Sequence, residues 1–446
     1  MLLYAKLLNT IAFELDGEPV TGLSGRSLEL LVFLTARNEA KTWIELEAVG
    51  FVQDDLEASE LEPVRSFLIV DGDSLRLEAG SDVHDFLNAG ANLRTLTSLR
   101  GEFAPGLSSS SAAFNAWLER ERFDLHKVFL KALLENSAGL QETGRLEEAS
   151  KNLEFVMRER QKLLETRPEF ASEVSLELAR FEWRLNQPAK SAEHLQAALE
   201  HLHGIAADHV KANLASALVR IGKPKEAIRL LEKLPEHREA KGWALVHLAN
   251  AYRILDDLER ARILALDAFD ISSLEQDGFM AVAALTVQGE ALLEKAMLEG
   301  VNPKEAVIAF GKAVGISELL GEDASAGVLA GLGHAHAVWG SKNKALEVAE
   351  KAFKRARAAK DASNTTRALL ALFATTKIGS FARNALTEAR VAGHKPYELL
   401  ALLEVAAKEN DPALAEQALE LARQIGSMRL EARALQLVNR LVGVET

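Results

Sequence analysis

The sequence predicts a mainly α-helical chain: a solenoid of paired helices preceded by a small α+β domain. Three observations carry this expectation. The 446 residues include only 6% aromatics and 10 prolines, with 26% charged residues, a balance suited to amphipathic helices. That length exceeds what one hydrophobic core usually supports, so the core must be divided or must grow lengthwise. Finally, a small-residue pattern recurs at fixed spacing through the later part of the chain, while the first 90 residues read differently.

The pattern is a large apolar residue on one helix followed 13 residues later by alanine on the next. It occurs at Leu214/Ala227, Leu248/Ala261, Leu332/Ala345 and Leu402/Ala415. Leu231, Ala268, Ala349 with Ala352, and Leu419 with Ala422 continue the second helix in each case. Small residues at these positions let two helix backbones cross closely, and bulk there would push them apart. Leu369 with Ala382, Leu386 and Ala389 keeps the spacing. Gly289 with Ala306, Phe310 and Ala313 needs extra residues, absorbed around Gly300–Pro303, and Leu178-Ala179 with Ala192 and Ala198 is less regular. Turns are expected at Ile221–Pro224, Asp256-Asp257, Asn302-Pro303, Gly340-Ser341, Gly379-Ser380 and Asn410–Pro412, where left-handed or helix-starting residues cluster.

A two-helix unit of about 34 residues with these small positions resembles the tetratricopeptide repeat, over roughly residues 130–440. The resemblance implies stacked hairpins forming a superhelix whose concave groove takes a protein or peptide ligand.

Residues 1–90 predict strands, a turn at Asp16-Gly17, helices near Ser24–Asn38 and Trp43–Gly50, and a hairpin over Leu68–Leu77. This order suits a winged helix with an N-terminal sheet. The apolar opening is broken by Lys6, Asn9 and Thr10 and reads as strand, not as a secretory leader. After it come Val83-His84-Asp85-Phe86, then Leu99–Leu107 (LRGEFAPGL), Phe114–Arg122 (FNAWLERER) and Glu142–Ala149 (ETGRLEEA). Together these segments resemble the bacterial transcriptional activator domain of the Streptomyces antibiotic regulatory protein type, over about residues 1–170. The resemblance implies a winged helix at 1–90, a helical activator-type domain at 91–170 and tetratricopeptide-like repeats at 171–446. It also implies a transcriptional regulator that contacts DNA and a protein partner. Larger members carry a nucleotide-binding module between the front domain and the repeats; here there is none, and no cofactor is expected.

Charge works against DNA reading by the front domain. Residues 1–90 hold six Lys/Arg against seventeen Asp/Glu, whereas the remaining residues hold 46 against 48. The stretch expected to act as recognition helix, Asp54–Leu68, has five carboxylates, one arginine and Pro63. A phosphate backbone would repel it. Arg26, Lys41, Arg65 and Arg76 are the candidate DNA contacts. A denser basic run, Lys351, Lys354, Arg355, Arg357, Lys360 and Arg367, is a candidate contact for an acidic partner or nucleic acid. Two readings follow: a transcription regulator, binding DNA as a homodimer, or a protein–protein adaptor whose winged helix no longer binds DNA.

The chain has no cysteine, which excludes disulfides, thiolate metal sites and thiol catalysis and fits a reducing compartment. With no apolar run near 18–20 residues, a cytoplasmic location without membrane partner is expected. The pairs His201/His203 and His334/His336 sit two apart, about 200° around a helix, so neither chelates a metal and no metal site is expected. Trp43, Trp117, Trp183, Trp243 and Trp339 are expected in hairpin cores. No phosphate-binding loop, serine elbow, zinc-protease helix or EF-hand loop occurs, and Gly331-Leu332-Gly333 reads as close helix packing. A non-enzymatic protein is therefore expected.

Overall fold

A computed structural model describes residues 2–23, 25–37, 39–88, 101–320 and 326–443. The chain forms two compact units, Met1–Val174 and Ser175–Thr446.

In the first unit, β1 (Leu3–Lys6) pairs antiparallel with β2 (Ala12–Leu15), and β2 with β3 (Glu18–Pro19). β1 and β2 form a hairpin; β2 and β3 are joined by Asp16-Gly17, where both residues have positive φ (51° and 89°), as a two-residue turn between twisted strands requires. Helix α1 (Gly25–Thr35) follows, then β4 (Lys41–Thr42) and α2 (Trp43–Ala48). Thr42 and Glu45 form a capping box that fixes the start of α2: the Glu45 N–H donates to Thr42 Oγ1 and the Thr42 N–H to Glu45 Oε2 at 2.8 Å. The hairpin β5 (Leu68–Asp71) and β6 (Ser74–Leu77) adds to β4 in the order β4-β6-β5. β7 (Gly80–Ser81) returns beside β1, and α3 (Asp82–Asn88) follows.

Between α2 and β5 there is no α-helix. Gln53–Glu57 and Ser59–Phe67 are 3₁₀ turns. Pro63 lacks an N–H and its ring would strike the carbonyl one turn back, so the stretch compared with a recognition helix does not close into α geometry. Two segments that carry the activator-domain resemblance are core packing. Phe33, Phe103, Phe114 and Trp117 meet in one aromatic cluster, with Phe33 and Trp117 centroids 4.8 Å apart. The Arg122 guanidinium donates to the carbonyls of Phe103 (3.0 Å) and Ala104 (2.7 Å). Leu99 and Arg100 lie outside the described residues. The unit continues as the hairpin α4 (Ala112–Glu142) and α5 (Leu146–Thr166), turned by Gly144 at φ 78°. Helix α6 (Pro168–Arg184) carries the chain from one unit to the next.

The second unit is a tetratricopeptide-like stack. After α7 (Pro188–Leu199) come the hairpins α8 (Gly204–Arg220) with α9 (Pro224–Leu230), and α10 (Arg238–Ile254) with α11 (Leu258–Glu275). α12 (Gly278–Glu299) with α13 (Lys304–Leu319) and α14 (Ala326–Val338) with α15 (Lys342–Ala358) follow. The stack ends with α16 (Ala362–Thr376) and α17 (Gly379–Val391), α18 (Lys395–Glu409) and α19 (Pro412–Ile425), and α20 (Met428–Val442). The spacing of 13 falls between first and second helices of a hairpin in every case, and the alanines at 227, 261, 345 and 415 are buried.

Gly222, Asp256, Gly300, Gly340 and Asn410 take the left-handed conformation that ends each helix. At the turn expected on Gly379-Ser380 the left-handed residue is Lys377, and Gly379 begins α17. Two tryptophans depart from expectation: Trp183 and Trp339 are 36% and 39% exposed. Trp183 lies under the Arg220 guanidinium at 4.7 Å and Trp339 stacks on His336. No described helix is long and apolar enough to cross a membrane.

The stack winds back on itself. Asp256, at the end of α10, accepts hydrogen bonds from Ser427 Oγ (2.8 Å) and from the backbone and side-chain nitrogens of Arg429 (both 2.9 Å). Residues of α8 to α10 and of α16 to α20 share one contiguous hydrophobic core.

Candidate functional site

First helices of successive hairpins, with Phe310 from a second helix, line an open cavity of about 350 Å³. Its apolar lining includes Leu293, Met297, Phe310, Leu370 and Leu400. Its polar lining is a set of charged side chains from four different helices, joined by Tyr397 from a fifth and fixed by one another.

Glu290 on α12 lies at the centre. Arg253 Nε, from α10, is 3.2 Å from its Oε2, Arg367 from α16 pairs with its Oε1, and Tyr397 Oη from α18 donates to the same oxygen at 3.4 Å. One turn further along α12, Glu294 pairs with Arg253 and accepts from Arg429 Nη2 at 2.5 Å. Asn250 Oδ1 accepts from Arg253 Nη2 at 2.8 Å. Arg433 also lines the cavity and pairs with Glu404 at 2.7 Å. Arg253 and Glu290 expose only 7% and 14% of their side chains.

Charges so withdrawn from water persist because each has a partner. Burial alone would raise the Glu290 carboxyl, but Arg367 and Arg253 outweigh it and hold the group below its usual value. Burial would lower the Arg253 and Arg367 guanidiniums, and the facing carboxylates raise both instead. The Tyr397 hydroxyl is pushed up to about 12, chiefly by burial. His334, also in the lining, is lowered by burial. A site of this kind offers fixed dipoles and charges above an apolar floor.

The expected contact residues are placed elsewhere, with one exception. Arg26 donates to the Gly50 carbonyl, pairs with Glu29 at 3.2 Å and lies over the Phe51 ring. Lys41 is 3.3 Å from Glu39 and 3.9 Å from Glu45, and Arg65 is 3.4 Å from Glu62. Arg76 is exposed on β6. Three of the four are thus matched to neighbouring carboxylates. In the second group, Lys351, Lys354 and Arg357 are exposed on α15, Arg355 is half-buried there, and Lys360 lies at the following turn. Arg357 pairs with Glu388 at 3.0 Å. Arg367 does not belong with them: it lines the cavity, 15% exposed, and pairs with Glu290.

Sequence reasoning passed over Arg253, Glu290, Glu294, Tyr397 and Arg429. A signal existed for two of them. Arg253 and Glu294 each lie five residues past the first-helix landmark, Leu248 and Gly289, so both repeats place an ionisable group at the same register of the first helix. The pairing itself joins residues up to 173 positions apart, which spacing does not reveal.

No protein-family model matches the chain, and no curated protein sequence matches it. Similar solved structures include a Rap protein complexed with competence and sporulation factor, at 14% identity and a TM-score of 0.49, over 81% of this chain and 97% of that one. A signal transduction ATPase with a tetratricopeptide repeat sensor, from Pyrococcus horikoshii, is 13% identical with a TM-score of 0.40, over 95% of this chain and 64% of that one. The Cut9–Hcn1 hetero-tetramer of the APC/C is 14% identical with a TM-score of 0.32, over 82% and 80%.

Proposed function

We propose that this chain is a regulatory protein that acts by binding, and that its repeat unit holds an extended segment of a partner protein in the inner cavity. The observation that carries the reading is the cavity: about 350 Å³, with an apolar floor and charges already set by their neighbours. Its size is at the low end for ligand sites, suited to a few side chains of a peptide and too small for a folded surface. Because Arg253, Glu290 and Arg367 are fixed before a ligand arrives, little ordering is needed on binding. Met297 and Leu298, 47% and 55% exposed, extend the apolar floor outward. Selection from a random decapeptide library, followed by fluorescence polarisation with the purified chain, tests this. Recovery of saturable binders sharing an apolar and charged pattern is expected; an enrichment no better than that of an unrelated protein contradicts it.

The order of elements in the first unit, sheet, helix, second helix and hairpin, favours a second reading, in which the chain is a transcription regulator and the first unit contacts DNA. The acidic 3₁₀ stretch and the internally paired Arg26, Lys41 and Arg65 weigh against it. Fluorescence anisotropy with pooled upstream DNA, at low and at physiological salt, separates the two. Salt-sensitive binding lost on R65A/R76A supports DNA reading, and no binding at low salt leaves the adaptor.

A further inference from the structure

We propose that His209, His237 and Glu239 form a binding site for a divalent transition-metal ion of the zinc type, independent of the inner cavity. His209 lies on α8, His237 immediately precedes α10, and Glu239 is the second residue of α10. One ligand atom from each, a ring nitrogen or a carboxylate oxygen, lies within 4.8 Å of the other two. The imidazole centroids are 6.2 Å apart with planes inclined at 59°, so the rings converge without stacking. A tetrahedral zinc ion with bonds of about 2.0–2.1 Å holds its donors roughly 3.3 Å apart. Closing the remaining gap is a matter of side-chain rotation, for which His237 and Glu239 are exposed and His209 is half-buried.

The backbone that brings the three together is not left to chance. Residues 231–237 have no regular structure, yet Leu231 and Pro235 are buried and Leu234 packs on the core, which fixes where the chain enters α10. The two histidines, 28 positions apart in sequence, are thereby set side by side. Two imidazoles and one carboxylate suit zinc, whereas calcium and magnesium favour all-oxygen sets. Water completes the coordination. The positive end of the α10 dipole opposes a cation here, and Glu239 supplies the countering charge. Two nearby cations are already engaged: Lys211 with Asp208 at 3.1 Å and Arg238 with Glu275 at 3.2 Å. The bound ion would clip the irregular segment to α8.

The test uses the tag-free, metal-free full chain. Zinc titration by calorimetry, paired with the visible absorption of the cobalt(II) form, is expected to give one equivalent bound. H209A, H237A and E239Q should each weaken that equivalent at least tenfold, whereas H201A/H203A should not change it. Zinc should raise the melting temperature of the wild type and not of H209A or H237A, whose metal-free melting should match the wild type. Failure of the wild type to bind overturns the proposal, as does an equivalent that survives all three single substitutions.

Discussion

Gly331 leaves no room for a methyl group: a Cβ there would lie 2.4 Å from the Phe310 ring, and one on Gly289, in the neighbouring first helix, 2.9 Å from the same ring. Phe310 is fully buried, so neither the ring nor the helices can yield cheaply. G331A should therefore destabilise the chain by about 1–3 kcal/mol, the usual cost of overpacking. Gly311, exposed on α13 with nothing within 4 Å of its Cβ position, makes the opposite control. G311A should stabilise by up to about 1 kcal/mol through helix propensity, and thermal denaturation of both variants checks the pair. Glu290 is the other residue on which much depends. E290A would leave Arg253 and Arg367 buried without their shared carboxylate, and removal of one partner from a buried ion pair costs about 3–5 kcal/mol. Urea unfolding should show that loss, and E290A/R367A should recover part of it, because the second change removes one of the stranded charges.

At the scale of elements, α15 and α16 separate what the sequence presented as one basic run. K351E/K354E changes two exposed positions on α15 and should leave both melting temperature and peptide binding unchanged, whereas R367A should lower both. The same comparison marks what was legible in advance. The landmarks Leu214, Leu248, Leu332 and Leu402, each with its alanine 13 residues on, place the hairpins, because close helix crossing demands small residues at fixed spacing. Asp16-Gly17 and the residues of the β5–β6 hairpin could likewise be read locally. The cavity could not, since Asp256 meets Arg429, 173 positions away, only when the stack winds through several repeats. Trp183 and Trp339 show a related difficulty. Both have the size of core residues, yet each covers its apolar face with a neighbouring Arg or His instead of a hairpin interior.

For the whole molecule, buried ionisable groups make stability depend on pH. His247 is lowered by burial to about 4, and His334 and His394 are also lowered by burial. Unfolded histidines take up protons near pH 6.5, while the folded chain resists doing so. The unfolded state then binds more protons, and stability falls as pH drops from about 6.5 toward 4. Glu290 adds a second loss at lower pH: its folded value lies below its unfolded one, so its contribution is present above about pH 4.5 and disappears as pH falls through the folded value. Melting temperature should be flat from pH 7 to 8 and decline below 6.5. H247Q should reduce the upper part of that decline and leave the lower part, where Glu290 is protonated, in place.

In the proposed function, the inner face of the repeat unit, and not its outer charges, receives the partner. Peptide affinity of the wild type compared with that of L370W and K351E/K354E tests this most directly. Leu370 lines the cavity and is only partly buried, so tryptophan there fills the space without disturbing the ion pairs. An affinity at least tenfold weaker for L370W, with K351E/K354E equal to wild type, is the predicted result. Undiminished binding by L370W together with loss on K351E/K354E would place the interaction on the outer face of α15 and contradict the account.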